Sequence, residues 1–225
     1  PSWSRGLGDV YKRQGIPKKS QIRFAKELIN DNNNIFLFAR PGYFIRERGS
    51  SEEDRYSSGP RNAIKSTVVN YSWKNFQILA PALKNLRKYY KPEKLILIGH
   101  SGGAYQGGTI HGKVPGLVDI NILISCPCDW EIRKKLSNGK KWETKSQLKK
   151  LKKYSPSFNY EDIDIESLNV LIVGKDDKNT APGVSEYYYD LLKKKKLQVK
   201  LHIIDGGHGL RSMPTIGSII KEYIN

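Results

Sequence analysis

The sequence predicts an α/β fold, with a mostly parallel sheet and helices on both faces. Short runs that are mostly apolar alternate with longer segments whose apolar residues recur at helical spacing. Strands of this kind are typical of a sheet that is covered on both faces, and helical crossovers join parallel strands. A glycine-rich turn directly after one strand marks an edge of the sheet where chemistry is expected.

The elements follow in regular order. A first helix is predicted at 21–28, and a second has an apolar face made by Trp73, Phe76, Leu79, Leu83 and Leu86. Further helices are predicted near 187–195 and 215–223. Apolar runs predict buried strands at 35–39, 95–98, 118–124, 168–173 and 199–204. The carboxyl ends of parallel strands lie at one edge, so we expect the loops that follow them to meet there.

Composition excludes several classes of protein. The 225 residues suit one domain or two small ones, and 38% apolar with 27% charged residues exclude a disordered chain. Two cysteines cannot staple a disulfide scaffold. The net charge of +17 raises nucleic acid or an anionic membrane as a partner. We do not favour nucleic acid, because lysine dominates over arginine and no recognition module is present.

The N-terminus looks foreign to the domain. Residues 4–14, SRGLGDVYKRQ, look like the in-frame translation of a sequencing-library adapter. We therefore expect residues 1–14 to be non-native and a single domain to cover 15–225, a genuine basic N-terminus being the alternative. Any signal peptide would then be lost, so localisation stays open, with the cytoplasm as the default expectation.

The candidate nucleophile lies in residues 99–103, GHSGG, which fit G-x-S-x-G between a strand and a helix. Such a turn forces strained backbone angles on Ser101 and requires small neighbours. It presents Oγ at a helix N-terminus, where the amide of Gly102 would stabilise an oxyanion. A helix N-terminus that only binds an anion is the alternative.

A serine hydroxyl needs a base, and the chain has four histidines. His208 lies in a flexible glycine-rich loop after the last strand, so we expect it to be the base, rather than a surface histidine. His100 lies inside the G-x-S-x-G turn, which we call the elbow. His111 lies on or just after the helix that follows it, the elbow helix, and His202 lies within a strand.

The base needs an acid that fixes its tautomer. The loop 174–180 follows a strand and holds two aspartates, of which we prefer Asp177, with Asp176 second. Asp129, after the preceding strand, is a third candidate. An aspartate that does not orient the base is expected to form a turn.

From Gly15 onward, the sequence resembles the α/β-hydrolase superfamily, of the esterase or peptidase-like kind. Residues 38–43 look like the loop after the fourth strand of that family, 98–104 like its nucleophile elbow, 173–177 like its acid loop and 206–209 like its histidine loop. The order Ser, Asp, His is also that of the family. The resemblance implies the fold and a Ser101–His208–Asp177 triad; it implies no substrate.

One departure from the family matters. Its third strand lies between the fourth and fifth, and the loop after it supplies the second oxyanion donor. That strand would precede Gly15, so we expect this chain to lack its first strands, with Gly15 or Ile16 as the stub of the loop. Loss of one donor costs roughly a hundred- to thousandfold in rate. The intact parent is thus predicted to be an enzyme and this fragment to be poorly active or inactive.

The segment 129–167 is predicted to be a small helical cap insertion. Residues 131–153 hold ten basic and two acidic residues, which suggests a basic lid for acidic substrates or an anionic membrane surface. We favour a solvated helical surface. Trp130 and Trp142 are candidates to pack the cap over the site and shape an acyl pocket, but such residues more often simply bury area. Cys126 and Cys128 lack partners for a metal site, and we interpret them as small residues at a strand end rather than a redox pair.

The sequence therefore predicts a carboxylesterase-like serine hydrolase that cleaves an ester, thioester or amide of a small-molecule acyl substrate through an acyl-enzyme. No cofactor and no metal are required. The alternatives on the same fold are an acyltransferase, a proline-releasing aminopeptidase, or a non-catalytic binding protein. A further alternative is an electrostatic binder that acts through the basic segment. The oligomeric state stays open.

Overall fold

The computed structural model describes residues 19–38, 73–136, 145–209 and 214–224. Within these ranges the helices are α1 (Lys19–Leu28), α2 (Trp73–Tyr90), α3 (Gly102–Lys113), α4 (Trp130–Leu136), α5 (Lys145–Lys153), α6 (Pro182–Lys194) and α7 (Pro214–Ile224). The strands are β1 (Ile96–His100), β2 (Ile120–Ile124), β3 (Leu168–Gly174) and β4 (Gln198–Ile204). A short 3₁₀ turn, Pro156–Phe158, follows α5.

The four strands form one parallel sheet in the order β1-β2-β3-β4. The register aligns Ile98 with Ile122, Ile122 with Val170, and Val170 with Lys200. Parallel neighbours need long connections, and α3 and α6 supply two of these crossovers. All four strands therefore end at the same edge, as the sequence predicts.

Alternate residues of each central strand face opposite layers of helices. Ile122 and Ile172 pack with Leu28 of α1 and with Ile216 and Ile220 of α7. On the other face, Leu123 and Leu171 pack with Ala104 of α3 and with Tyr188 and Leu192 of α6. Both faces are buried, which explains why β2 and β3 are mostly apolar, although each holds one buried asparagine, Asn121 or Asn169. The α/β class with helices on both faces is confirmed.

The apolar run 35–39 was predicted as a buried strand, and this is wrong for 35–38. These residues form no strand, and Phe36, Leu37 and Phe38 are 42%, 47% and 43% exposed. Ile35 packs against the core, while Phe36 lies against the ring of Tyr90. A strand needs a hydrogen-bonded neighbour, and no described segment pairs with this one.

Helices α4 and α5, in the predicted cap segment, are anchored on the elbow helix α3. Trp130 of α4 is buried edge-on against Tyr105 of α3. The Tyr105 hydroxyl donates a hydrogen bond of 2.7 Å to the carbonyl oxygen of Leu151 in α5. Trp130 thus buries its ring against the helix α3, whereas Trp142 lies outside the described residues.

Cys126 and Cys128 form a disulfide, although the sequence interpretation left them as unbonded small residues. Both are fully buried at the end of β2, among Ala104, Leu171 and Tyr188. A bridge between residues two apart closes a tiny loop, so it does not staple distant parts of the fold.

Some predictions fall outside the described residues: the foreign segment 1–14, the stub at Gly15 or Ile16, and the loop at 39–43. No helix in the described part of the chain has both the length and the apolar character to cross a membrane.

Candidate active site

Ser101 sits at a strained turn between β1 and α3. Its backbone has φ 54° and ψ −118°, a combination that a residue with a side chain adopts only at a cost of about 1–3 kcal/mol. Its N–H donates to the carbonyl oxygen of Ile124 (2.8 Å), so the turn stays attached to β2. The sheet therefore holds the serine at the carboxyl edge.

Gly99 permits this turn because a side chain there would collide with the elbow helix. A Cβ at this position would lie 2.5 Å from the backbone nitrogen of Ala104 and 2.6 Å from its Cα. Helix α3 begins at Gly102, so the amide of Gly102 belongs to the first turn, which has no acceptor inside the helix.

The hydroxyl of Ser101 meets the imidazole of His208. Ser101 Oγ lies 3.0 Å from His208 Nε2, and His208 Nδ1 lies 2.9 Å from Asp177 Oδ2. An ionised carboxylate only accepts, so Nδ1 carries a proton and donates it to Asp177. Nε2 then has a free lone pair, which accepts the hydrogen bond from Ser101.

The loop after β3 fixes the carboxylate of Asp177. Its Oδ1 accepts hydrogen bonds from the N–H groups of Asn179 (2.9 Å) and Thr180 (2.8 Å), which leaves Oδ2 for His208. The Asp177 side chain is fully buried. Burial alone would raise its pKa, but the hydrogen bonds from His208 and Thr180 outweigh burial and hold the pKa below the usual value.

The other two candidate acids have different surroundings. Asp176 is exposed. Asp129 is buried, but its Oδ1 accepts from the N–H of Ile132 (2.8 Å) at the start of α4, and its Oδ2 accepts from the Ser157 hydroxyl (2.6 Å). Asp129 is therefore a helix cap, and of the three candidates Asp177 is the one that contacts His208.

The remaining histidines lie in separate environments. His111 is buried in α3 with Nε2 2.7 Å from the Ser167 hydroxyl oxygen. His202 in β4 has Nε2 2.7 Å from the hydroxyl oxygen of Tyr223. His100 does approach the candidate site, with Nε2 2.7 Å from the main-chain oxygen of His208.

Two residues near the site were missed by sequence reasoning. Thr180 binds Asp177 through its N–H, and its Oγ1 lies 3.4 Å from His208 Nδ1. An aspartate followed by polar residues often accepts from amides two or three positions on, so this contact had a local signal. The contact between His100 and the main-chain oxygen of His208 joins positions 108 residues apart, so no local sequence pattern predicts it.

The parallel sheet, the strained serine at a strand-to-helix turn and the histidine loop are features of the α/β-hydrolase fold. Residues 32–222, most of the chain, match the model of the prolyl oligopeptidase family. The chain therefore belongs to the prolyl oligopeptidase family. No curated protein sequence matches it at a significant level.

Solved structures with the same fold include peptidases and an esterase. An acylaminoacyl peptidase of Pyrococcus horikoshii is similar with a TM-score of 0.55 and 18% identity, over 66% of this chain and 27% of that chain. Dipeptidyl peptidase 4 of Porphyromonas gingivalis is similar with a TM-score of 0.57 and 12% identity, over 71% of this chain and 23% of that chain. An esterase of Pyrococcus furiosus is similar with a TM-score of 0.53 and 21% identity, over 74% of this chain and 64% of that chain. The chain thus spans about a quarter of the length of these peptidases.

Proposed function

We propose that this serine hydrolase cleaves acyl bonds through a triad of Ser101, His208 and Asp177. The observation that carries the proposal is the pair of contacts on one imidazole, 3.0 Å to Ser101 Oγ and 2.9 Å to Asp177 Oδ2. The nucleophile and the group that orients the base are therefore each within hydrogen-bonding reach of the base.

The proposed reaction has two halves. His208 Nε2 takes the proton of Ser101 as Oγ attacks the substrate carbonyl, and Asp177 stabilises the imidazolium that forms. The amide of Gly102 donates to the oxyanion. Collapse of the intermediate transfers the proton from His208 to the leaving group. Water, activated by His208, then hydrolyses the acyl-enzyme.

We propose peptides and small acylated amines or alcohols as the substrate class. Membership of the prolyl oligopeptidase family supports peptide-like amides. The similar structures include an acylaminoacyl peptidase, a dipeptidyl peptidase and an esterase, so both amide and ester chemistry occur on this fold. An enzyme that cleaves an amide in this way also cleaves the corresponding activated ester, since the ester has a better leaving group.

The test is covalent labelling of the full chain with a fluorophosphonate, followed by mass spectrometry of the labelled peptide. We expect slow labelling of Ser101 in the wild type, in line with the poor activity predicted from the sequence. We expect no label in S101A, and labelling slower again by a factor on the order of a thousand in H208Q. A panel of p-nitrophenyl esters and aminoacyl p-nitroanilides then ranks ester against amide. Label on a residue other than Ser101, or labelling of the H208Q variant at the wild-type rate, would contradict the triad.

A further inference from the structure

His100 joins the nucleophile turn to the histidine loop. It occupies the position before Ser101, and its Nε2 lies 2.7 Å from the main-chain oxygen of His208. The two imidazole rings are adjacent, with centroids 5.2 Å apart and planes tilted by 51°. A carbonyl oxygen only accepts hydrogen bonds, so Nε2 of His100 carries a proton and donates it.

The loop that receives this hydrogen bond has a permissive backbone. Glycines surround His208 at 206, 207 and 209, and Gly206 has φ 117°, which residues with side chains rarely adopt. The Asp176 N–H donates to Gly206 O at 3.0 Å, which fixes the loop two residues before the histidine. The bond from His100 fixes the main chain at His208 itself.

The side-chain contacts of His208 do not determine where its backbone lies. Its bonds to Ser101 and Asp177 both involve the imidazole, which can rotate about two torsions of its own side chain. Because β1 is part of the sheet and ends at His100, the donor is held by a rigid element. The hydrogen bond therefore links the base to the same strand that carries the nucleophile.

We propose that His100 is a positioning residue, which places the main chain of His208 so that Nε2 stays within reach of Ser101 Oγ. This inference rests on the proposed function of His208 as the base. His100 acts through His208. Its role requires only a hydrogen-bond donor at the position of its own Nε2. Small misplacement of a catalytic base lowers the rate of the chemical step more than the affinity for substrate.

Two variants separate the donor from the packing of the ring. In H100Q the side-chain amide nitrogen lies about as far from Cβ as the histidine Nε2 does, so a donor is retained. H100M has a side chain of similar length and no donor. We expect H100M to lower kcat on an activated ester by roughly tenfold to a hundredfold with KM unchanged. H100Q is expected to stay within about threefold of wild type, and both variants to unfold at similar temperatures.

A second measurement does not depend on catalysis. Hydrogen–deuterium exchange of the peptide that covers 205–209 is expected to be about tenfold faster in H100M than in wild type, and nearly unchanged in H100Q. Exchange in β2 and β3 is expected to be the same in all three proteins. If the wild type turns over too little substrate for kcat to be measured, exchange alone decides the role of His100, whereas label on a residue other than Ser101 would refute the proposed function.

Two results would overturn the inference. Wild-type kcat and wild-type exchange in H100M would show that the hydrogen bond does not hold the loop. Equal losses in H100Q and H100M would show that the ring, rather than its donor, is required.

Discussion

The carboxylate of Asp177 uses its two oxygens on different partners: Oδ2 lies 2.9 Å from His208 Nδ1, and Oδ1 accepts two main-chain amides of its own loop. The amides fix the carboxylate, and the carboxylate then fixes the tautomer of His208. D177N would retain the shape but present a poorer acceptor to Nδ1. We expect kcat/KM on an activated ester to fall by a factor on the order of a thousand or more.

Asp176 supplies the matched control for this prediction. It is the neighbouring residue and has the same chemistry, but its side chain is exposed. D176N is expected to stay within about threefold of the wild-type rate and to unfold at the same temperature. A loss in D176N as large as that in D177N would assign the acid to the wrong aspartate.

Asp129 is expected to matter for stability rather than for rate. Its carboxylate accepts the N–H of Ile132 at the start of α4 and the hydroxyl of Ser157. D129A removes the cap and leaves the hydroxyl of the half-buried Ser157 without its acceptor, so we expect the free energy of unfolding in urea to fall by about 1–2 kcal/mol. The rate of the remaining folded protein should stay within a few-fold of wild type. A rate loss comparable to that of D177N would revive Asp129 as the acid.

Alanine is expected to have opposite effects on stability at two glycines of the elbow, Gly99 and Gly103. A methyl group at Gly99 would lie 2.5 Å from the backbone nitrogen of Ala104, whereas nothing lies within 4 Å of one at Gly103. We expect G99A to lose about 2–3 kcal/mol of unfolding free energy, because the strand and the helix must move apart. G103A is expected to be neutral or to gain up to about 1 kcal/mol, since alanine favours a helix. Chemical denaturation of both variants tests this, and equal stabilities would contradict it.

The sequence predicted the strands that are covered on both faces better than the segment that is not. In β2 and β3, Ile122, Leu123 and Leu171 are all fully buried, so apolar character and strand structure coincide. Residues 35–38 have the same apolar character but lack a hydrogen-bonded partner among the described strands. Local apolar content is a property of the segment, whereas pairing depends on a neighbour elsewhere in the chain, and only the first can be read from a short window.

The candidate site could also be predicted where it depends on local patterns, and not where it depends on contacts between distant segments. The elbow motif and the glycines around His208 are local patterns, and they led to the serine and the histidine that the structure brings together. The choice between Asp176 and Asp177 is made by which side chain turns inward, and adjacent identical residues do not reveal that. The bond from His100 to the main chain of His208 depends on how two distant loops meet.

We predict that His111 makes the stability of the protein sensitive to mild acid. Burial lowers the pKa of His111 from 6.5 to about 4, against a smaller opposing effect of Asp164 and Asp119. Below about pH 6.5 the unfolded chain binds a proton at His111, whereas the folded chain does not. The folded state therefore becomes less stable relative to the unfolded state as the pH falls toward 4. Because of His111, we expect the free energy of unfolding to fall by about 3 kcal/mol between neutral pH and pH 4.

The measurement is urea denaturation of the wild type and of H111Q at pH 7.5 and pH 4.5. Glutamine keeps a donor for the Ser167 hydroxyl oxygen, which lies 2.7 Å from Nε2, but it does not titrate. H111Q is expected to be less stable at pH 7.5, because the imidazole fills a buried site. Its loss of stability on acidification should be smaller than that of the wild type by about 2–3 kcal/mol, since acidic groups such as Asp177 titrate alike in both proteins. Parallel losses in the two proteins would mean that His111 takes up its proton in the folded state as readily as in the unfolded chain.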